Sequence, residues 1–266
     1  MSGHPDQQRP QADATNFDLS ELSLRELNRS LHQASSGHYR VLNPRGAHAV
    51  ACGIATDISV DVEGSVGYYC CGMHQRGTGV VRGNAGTGLA ENMMSGSVRI
   101  TGSATMSAGA SAQGGLLVIE GNAGARCGIS MKGVDVVVGG NVGHMSAFMA
   151  QSGNLVVLGD AAADLGDSIY EARIFVRGEV ESLGTDCVEK DLRPEHRETL
   201  DRLLAAGGMA ASADQFRRYG SARELYNFHP DDVDALDRAG AGDAVGAVDG
   251  ADQVDSARRR AQEVAP

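Results

Sequence analysis

Apolar residues recur along this chain in pairs separated by one position, and the pairs return every 19 residues: Val98 and Ile100, Leu117 and Ile119, Val136 and Val138, Leu155 and Val157, Ile174 and Val176. Two β-forming side chains flanking a single residue describe a short strand with one buried face. Glycines keep the same period at Gly64, Gly83, Gly102, Gly121, Gly140, Gly159 and Gly178. Two positions after each lead glycine the residue is small or β-branched: Val66, Ala85, Ala104, Ala123, Val142, Ala161. Seven positions after it the residue is smaller still: Cys71, Ala90, Gly109, Gly128, Ala147, Gly166. A fixed period of this length is the signature of a solenoid.

The unit predicts an all-β fold: a single-stranded, right-handed parallel β-helix with 19-residue coils, flanked by short helices at both ends. Stacked at roughly 4.8 Å per coil, such units make a rod on the order of 30 Å long in which each column becomes a ladder. A ladder of tiny residues suits a narrow interior or a tight corner. The lead glycines, with Gly67, Gly86, Gly124 and Gly143 three residues on, suit corners needing positive φ or close backbone approach. Other repeat folds fail on arithmetic. Hexapeptide helices need a multiple of six, calcium-binding rolls need an Asp in each turn, and leucine-rich repeats need several Leu per unit. A unit with several glycines is also a poor helix former.

The pattern divides the chain into four segments. Residues 1–37 are an N-terminal extension with a capping helix, in which Ser23 and Glu26 fit a capping box and Leu24, Leu27 and Leu31 share a face. Residues 38–190 are the β-helix, opening on an irregular lead-in coil because Gly46 lies 18 residues before Gly64. Residues 191–229 read as a short helical segment: Pro194–Ala206 stopped by Gly207-Gly208, a second stretch from Ser212, and a third capped by Ser221 and Glu224. Phe216, Tyr219, Tyr226 and Phe228 give this segment aromatic anchors that either pack on the rod or meet a partner. Residues 230–266, with eight Asp between Pro230 and Asp255, read as a disordered acidic tail.

Composition narrows the function. Aromatics at 4% and no Trp fit a thin core of Val, Ile, Ala and Leu. A net charge of −11 argues against a nucleic-acid footprint. Cysteines 52, 70, 71, 127 and 187 have no framework spacing and read as reduced thiols. No leader peptide or long apolar run is legible, so the expectation is a cytoplasmic protein with no membrane partner.

Candidate chemistry is sparse. Cys70-Cys71-Gly72-Met73-His74 is the most suggestive metal cluster, but zinc needs four converging ligands and no second Cys/His pair has compatible spacing. Adjacent cysteines on a strand would point to opposite sides. Gly83-Asn84-Ala85-Gly86-Thr87-Gly88 resembles a phosphate loop, yet its string recurs at Gly121 and Gly140 with no helix after it, which is architecture. Glu91, Arg126, Lys132, His144, Asp167 and Glu171 fall in scattered positions and read as solvated corners, and His48 as loop packing. Asn84, Asn122 and Asn141 share a column and read as hydrogen bonding between coils. No catalytic, cofactor-binding or metal residue is assigned.

Three further stretches carry a resemblance: Glu91-Asn92-Met93-Met94-Ser95-Gly96, Gly143-His144-Met145-Ser146-Ala147-Phe148-Met149-Ala150, and Gly166-Asp167-Ser168-Ile169-Tyr170-Glu171-Ala172-Arg173. With the Gly-x-x-Gly corners, they resemble the GXGXG domain at the C-terminal end of the large subunit of glutamate synthase. They are most similar to the stand-alone GXGXG proteins called GlxC, equivalent to the B subunit of N-methylglutamate synthase. The resemblance covers residues 20 to 228 and implies a non-catalytic scaffold. Its expected partners are a class II amidotransferase-like subunit and a glutamate-synthase-like subunit carrying FMN and an iron–sulfur cluster. This chain does not begin Met-Cys and lacks clustered cysteines, in keeping with such a division of labour. The same repeat forms the C subunit of formylmethanofuran dehydrogenase, so a scaffold in a one-carbon formyltransferase complex is the first alternative. An independent β-helix enzyme acting on a polymer is the second.

Overall fold

Described by a computed structural model over residues 14–223, the chain winds its strands into one sheet. The strands of the winding are β2 (Gly37–Leu42), β3 (Ile58–Glu63), β4 (Thr78–Val81), β5 (Ser97–Ile100), β6 (Leu116–Ile119), β7 (Lys132–Val138), β8 (Ser152–Val157) and β9 (Arg173–Val176). Each pairs in parallel with the next, in sequence order. From β3 onward the register advances by one coil each time: Ser59 to Thr78, Ser97, Leu116, Asp135, Asn154 and Arg173. Each step is 19 residues, so the sequence period is the coil. The lead-in coil is longer, since Tyr39 pairs with Val60.

Around the coil, the column two residues after each lead glycine forms a second, one-residue ladder of parallel bridges from Val66 through Ala85, Ala104, Ala123, Val142 and Ala161 to Val180. Asn84, Asn122 and Asn141 belong to a polar ladder beside it. The Asn84 Oδ1 accepts from the Ser103 N–H at 2.8 Å, the Ser103 Oγ from Asn122 at 3.0 Å, and the Asn122 Oδ1 from Asn141 at 2.8 Å. Asn141 and Asp160 continue it. Backbone donors that would face solvent are thereby satisfied by the coil below.

The lead glycines are required for close approach. A Cβ at Gly83 would lie 2.7 Å from the Gly64 carbonyl carbon, and at Gly121 2.8 Å from the Gly102 carbonyl oxygen. Of the seven, Gly64 is the one with a positive φ, at 129°. Left-handed backbone is placed elsewhere, at positions five, seven and nine after the lead glycine. In successive coils these are Tyr69, Cys71, Met73; Gly88, Ala90, Asn92; Ser107, Gly109, Ser111; Arg126, Gly128, Ser130; Met145, Ala147, Met149; and Asp164, Gly166, Ser168. A non-glycine residue there costs about 1–2 kcal/mol. Hydrogen bonds to both neighbouring coils hold the segment in place, as in Ala90 N–H to Cys70 O at 2.9 Å and Asn92 N–H to Ala110 O at 2.9 Å. We call this segment the corner wall.

Both ends are closed. At the first, α1 (Leu24–Gln33) starts on a Ser23–Glu26 capping box and buries Leu27 and Leu31 over the open coil. β1 (Thr15–Asp18) adds a parallel strand to β2, so strand pairing begins inside the segment read as an N-terminal extension with a capping helix. At the far end, β10 (Cys187–Lys190) is followed by α2 (Pro194–Gly207), a 3₁₀ turn (Ala213–Gln215) and β11 (Arg217–Ser221). β11 inserts antiparallel between β9 and β10. The helical stretch expected from Ser212 is therefore one short turn and a strand. Its turn propensity loses to pairing with the free edge of β9, which would otherwise be an aggregation template. The helix expected to be capped by Ser221 and Glu224 runs outside the described residues, as do Tyr226, Phe228 and the acidic tail.

Two cores result. The first is the interior of the solenoid. The second lies on the outer face of the sheet, where Val137, Val156 and Phe175 pack with Leu200, Leu203 and Leu204 of α2, and with Phe216. The strand column sixteen after the lead glycine runs Arg99, Val118, Val137, Val156, Phe175, and α2 covers the apolar part. Among the described residues no helix is long and apolar enough to cross a membrane.

Candidate interaction surface

The cysteine-histidine cluster resolves into core. Cys70, Cys71 and His74 are all buried, and the two sulfurs lie 3.8 Å apart. The expectation that adjacent cysteines diverge fails because this is not a strand: Cys71 is left-handed, φ 52°, which turns both side chains inward. The Cys71 sulfur fills space at Gly79, where a Cβ would meet it at 2.9 Å. A hydrogen bond with Cys71 and burial push the Cys70 thiol up, and burial pushes Cys127 and Cys187 up to about 12. These thiols stay protonated and unreactive at neutral pH. Among the described residues no group of three His, Cys, Asp or Glu could hold a metal ion.

The phosphate-loop string is architecture in the fold as well. Gly86 N–H donates to Val66 O, Ala85 N–H to Ser103 O and Gly88 N–H to Met106 O, so its donors are spent between coils. The scattered polar candidates do not converge. His144 Nδ1 meets Asp164 Oδ2 at 3.4 Å, while Asp167 accepts from Ser168 Oγ at 2.8 Å and from the Thr185 N–H at 3.3 Å. Glu91 lies four coils from Asp167 in the same column. His48 stacks on Tyr68 at 4.6 Å between centroids, and its Nδ1 accepts the Tyr68 N–H at 2.8 Å.

What the corner wall does present is apolar. Tyr68, Tyr69, Met73, Met94, Met106 and Met149 are 40–54% exposed, and all lie between four and eleven positions after a lead glycine. The ring of Tyr69 lies over Gly88, where a Cβ would meet it at 2.7 Å. Tyr68 and Met106 share one column two coils apart, and Met73 and Met149 share another. Thioethers and phenol rings exposed together mark an adaptable contact surface. By contrast, Phe216 and Tyr219 are 5% and 2% exposed, so these two aromatics close the end of the rod and do not project from it. The wall could be missed in sequence because the columns four, five, nine and eleven after the glycine vary in type. The signal was Met and Tyr recurring there while columns six and seven stayed apolar or small.

Capped ends, a glycine-stacked sheet and a left-handed corner wall define a single-stranded β-solenoid with a methionine- and tyrosine-bearing face. Among curated proteins the chain is similar to Protein GlxC of Rhizobium meliloti (strain 1021), with 60% identity over 224 residues, 82% of this chain and 98% of that one. It belongs to the GlxC family. No family model matches it, and no solved structure does.

Proposed function

We propose that this protein is a non-catalytic scaffold subunit of a glutamate-synthase-like complex of the N-methylglutamate synthase type. The observation that carries the reading is where the family-like stretches fall. Glu91–Gly96, Gly143–Ala150 and Gly166–Arg173 all lie on the corner wall or at its border with the next strand, the side that exposes Met94 and Met149. Residues that only had to close the coil would not need exposed thioethers. The wall is then the surface offered to the catalytic subunits, a class II amidotransferase-like chain and a synthase-like chain. Flavin and iron–sulfur chemistry belong to the latter. The solenoid's part is rigid presentation: inter-coil hydrogen bonds and two closed ends hold the wall in one shape, which lowers the ordering cost of association.

The test is affinity purification of the tagged full chain from its native host, with identification of co-purifying proteins. The expected result is stoichiometric recovery of an amidotransferase-like and a flavin-containing synthase-like chain. Recovery of formyltransferase-type chains would move the scaffold to one-carbon metabolism. Recovery of this chain alone would overturn the assignment.

A further inference from the structure

The interior of the first regular coil differs from the coils stacked on it. Ten positions after each lead glycine, one buried column runs His74, Met93, Ala112, Met131, Ala150, Ile169. An imidazole stands where the other coils place a thioether or an aliphatic group. His74 is 1% exposed, and its Nε2 lies 3.2 Å from the Gly77 carbonyl oxygen. That contact requires the proton on Nε2, which donates. Nδ1 is buried with no hydrogen-bond partner. The ring is therefore neutral, and a second proton would place a charge in the apolar column with nothing to receive its N–H.

The surroundings offer no compensation. The titratable side chains in the interior columns of the same coil are Cys70 and Cys71, both buried thiols. In the neighbouring coil the equivalent positions are Leu89, Ala90 and Met93. Burial drives the His74 pKa down, the Gly77 carbonyl opposes it, and no charged group from any packed element contributes. The coil also borders the least regular part of the stack. Beneath it lies the lead-in coil with its longer register, held to α1 by Asn28 Nδ2 donating to Ala49 O at 2.8 Å and by a 2.7 Å contact between His32 Nε2 and Cys52 O.

We propose that His74 is an acid-sensitive latch on the N-terminal end of the solenoid: taking a second proton opens the lead-in coil and the coil from Gly64, while the coils from Gly102 onward stay closed. The direction follows from linkage. The folded-state pKa lies below the unfolded one, about 6.5, so the unfolded state binds more protons as the pH falls. The contribution of His74 to closure is fully present above the unfolded pKa and is lost as the pH falls toward and through the folded pKa. A scaffold that loosens one end in acid while keeping the rest of its rod would release partners held there without unfolding.

Hydrogen exchange of the full chain between pH 8 and 5, corrected for intrinsic rates, tests this. The expected result is that amides of residues 49–81 lose protection on acidification, approaching about a tenfold loss per pH unit between the unfolded and the folded pKa and levelling off below the folded one, while those of 102–176 do not. His74→Met, which copies Met93 and Met131, should remove the pH dependence and keep the protection. An unchanged pH dependence in that variant would overturn the latch. Should the variant fail to fold, the ring itself decides by carbon-detected NMR of the parent. Titration below the unfolded value of about 6.5 with concerted local broadening is expected, and titration at or above that value contradicts the proposal.

Discussion

Arg99 and Gly207, 108 residues apart, are joined by a hydrogen bond: the Arg99 Nη2 donates to the Gly207 carbonyl oxygen at 3.0 Å, while Nη1 pairs with Glu120 at 2.9 Å. One arginine on the outer face of β5 thus caps the C-terminal end of α2, where carbonyls lack intrahelical donors and the helix dipole favours a cation. The apolar column on that face begins one coil later, at Val118. Arg99 is the polar border of the second core.

Replacing Arg99 with Met should therefore loosen α2 without touching the solenoid interior. The expected cost is about 1–2 kcal/mol, the range for a charge-assisted hydrogen bond on a partly exposed side chain. Amides of the last turn of α2 should exchange faster while those of β5 and β6 keep their protection. Equal loss in both would mean that Arg99 holds the sheet.

Two glycine columns should respond differently to alanine. At Gly83 a Cβ would stand 2.7 Å from the Ser65 nitrogen and the Gly64 carbonyl carbon, so Gly83→Ala must push coils apart, at about 1–3 kcal/mol. At Gly128 the nearest atom is the Met131 sulfur at 3.3 Å, and Ala90 and Ala147 hold the same left-handed position natively. Gly128→Ala should cost only the left-handed backbone strain, about 1–2 kcal/mol, and Gly128→Leu should cost more by overpacking. Chemical denaturation of the three variants checks the order.

Much of this fold was legible in the chain because a solenoid writes its own cross-section into its period. The register from Ser59 to Arg173, the Asn ladder and the α1 cap all follow from columns and local signals. The corner wall was not legible. Tyr69, Arg126 and Met145 have no intrinsic preference for positive φ, and they adopt it because the coils on either side supply the hydrogen bonds. The fate of Arg217–Ser221 was hidden for a related reason: its partner Ile174 lies more than 40 residues back, and the pairing is a tertiary event. Arg99 giving way to Val118, Val137, Val156 and Phe175 did announce a covered outer face, through a change of character along one column.

Truncation after Lys190 should abolish the soluble fold. It removes α2, exposing Val137, Val156 and Phe175, and it removes β11, baring the edge of β9. The shortened chain is expected to aggregate or bind a hydrophobic dye strongly. A monomeric product with the parent's melting temperature would show that the second core is dispensable.

The proposed role, presentation of the corner wall to catalytic subunits, is open to a direct test. The most direct measurement is quantitative co-purification from the native host of the parent and a wall variant combining Tyr69→Ser, Met73→Gln, Met94→Gln and Met106→Gln. A control variant, Arg202→Ala, alters the α2 side, where Arg202 pairs with Asp135 at 3.6 Å. All three should fold alike, because the wall side chains are exposed. The account predicts that the wall variant loses its partner chains by at least about tenfold while the control retains them. Full retention by the folded wall variant would contradict it.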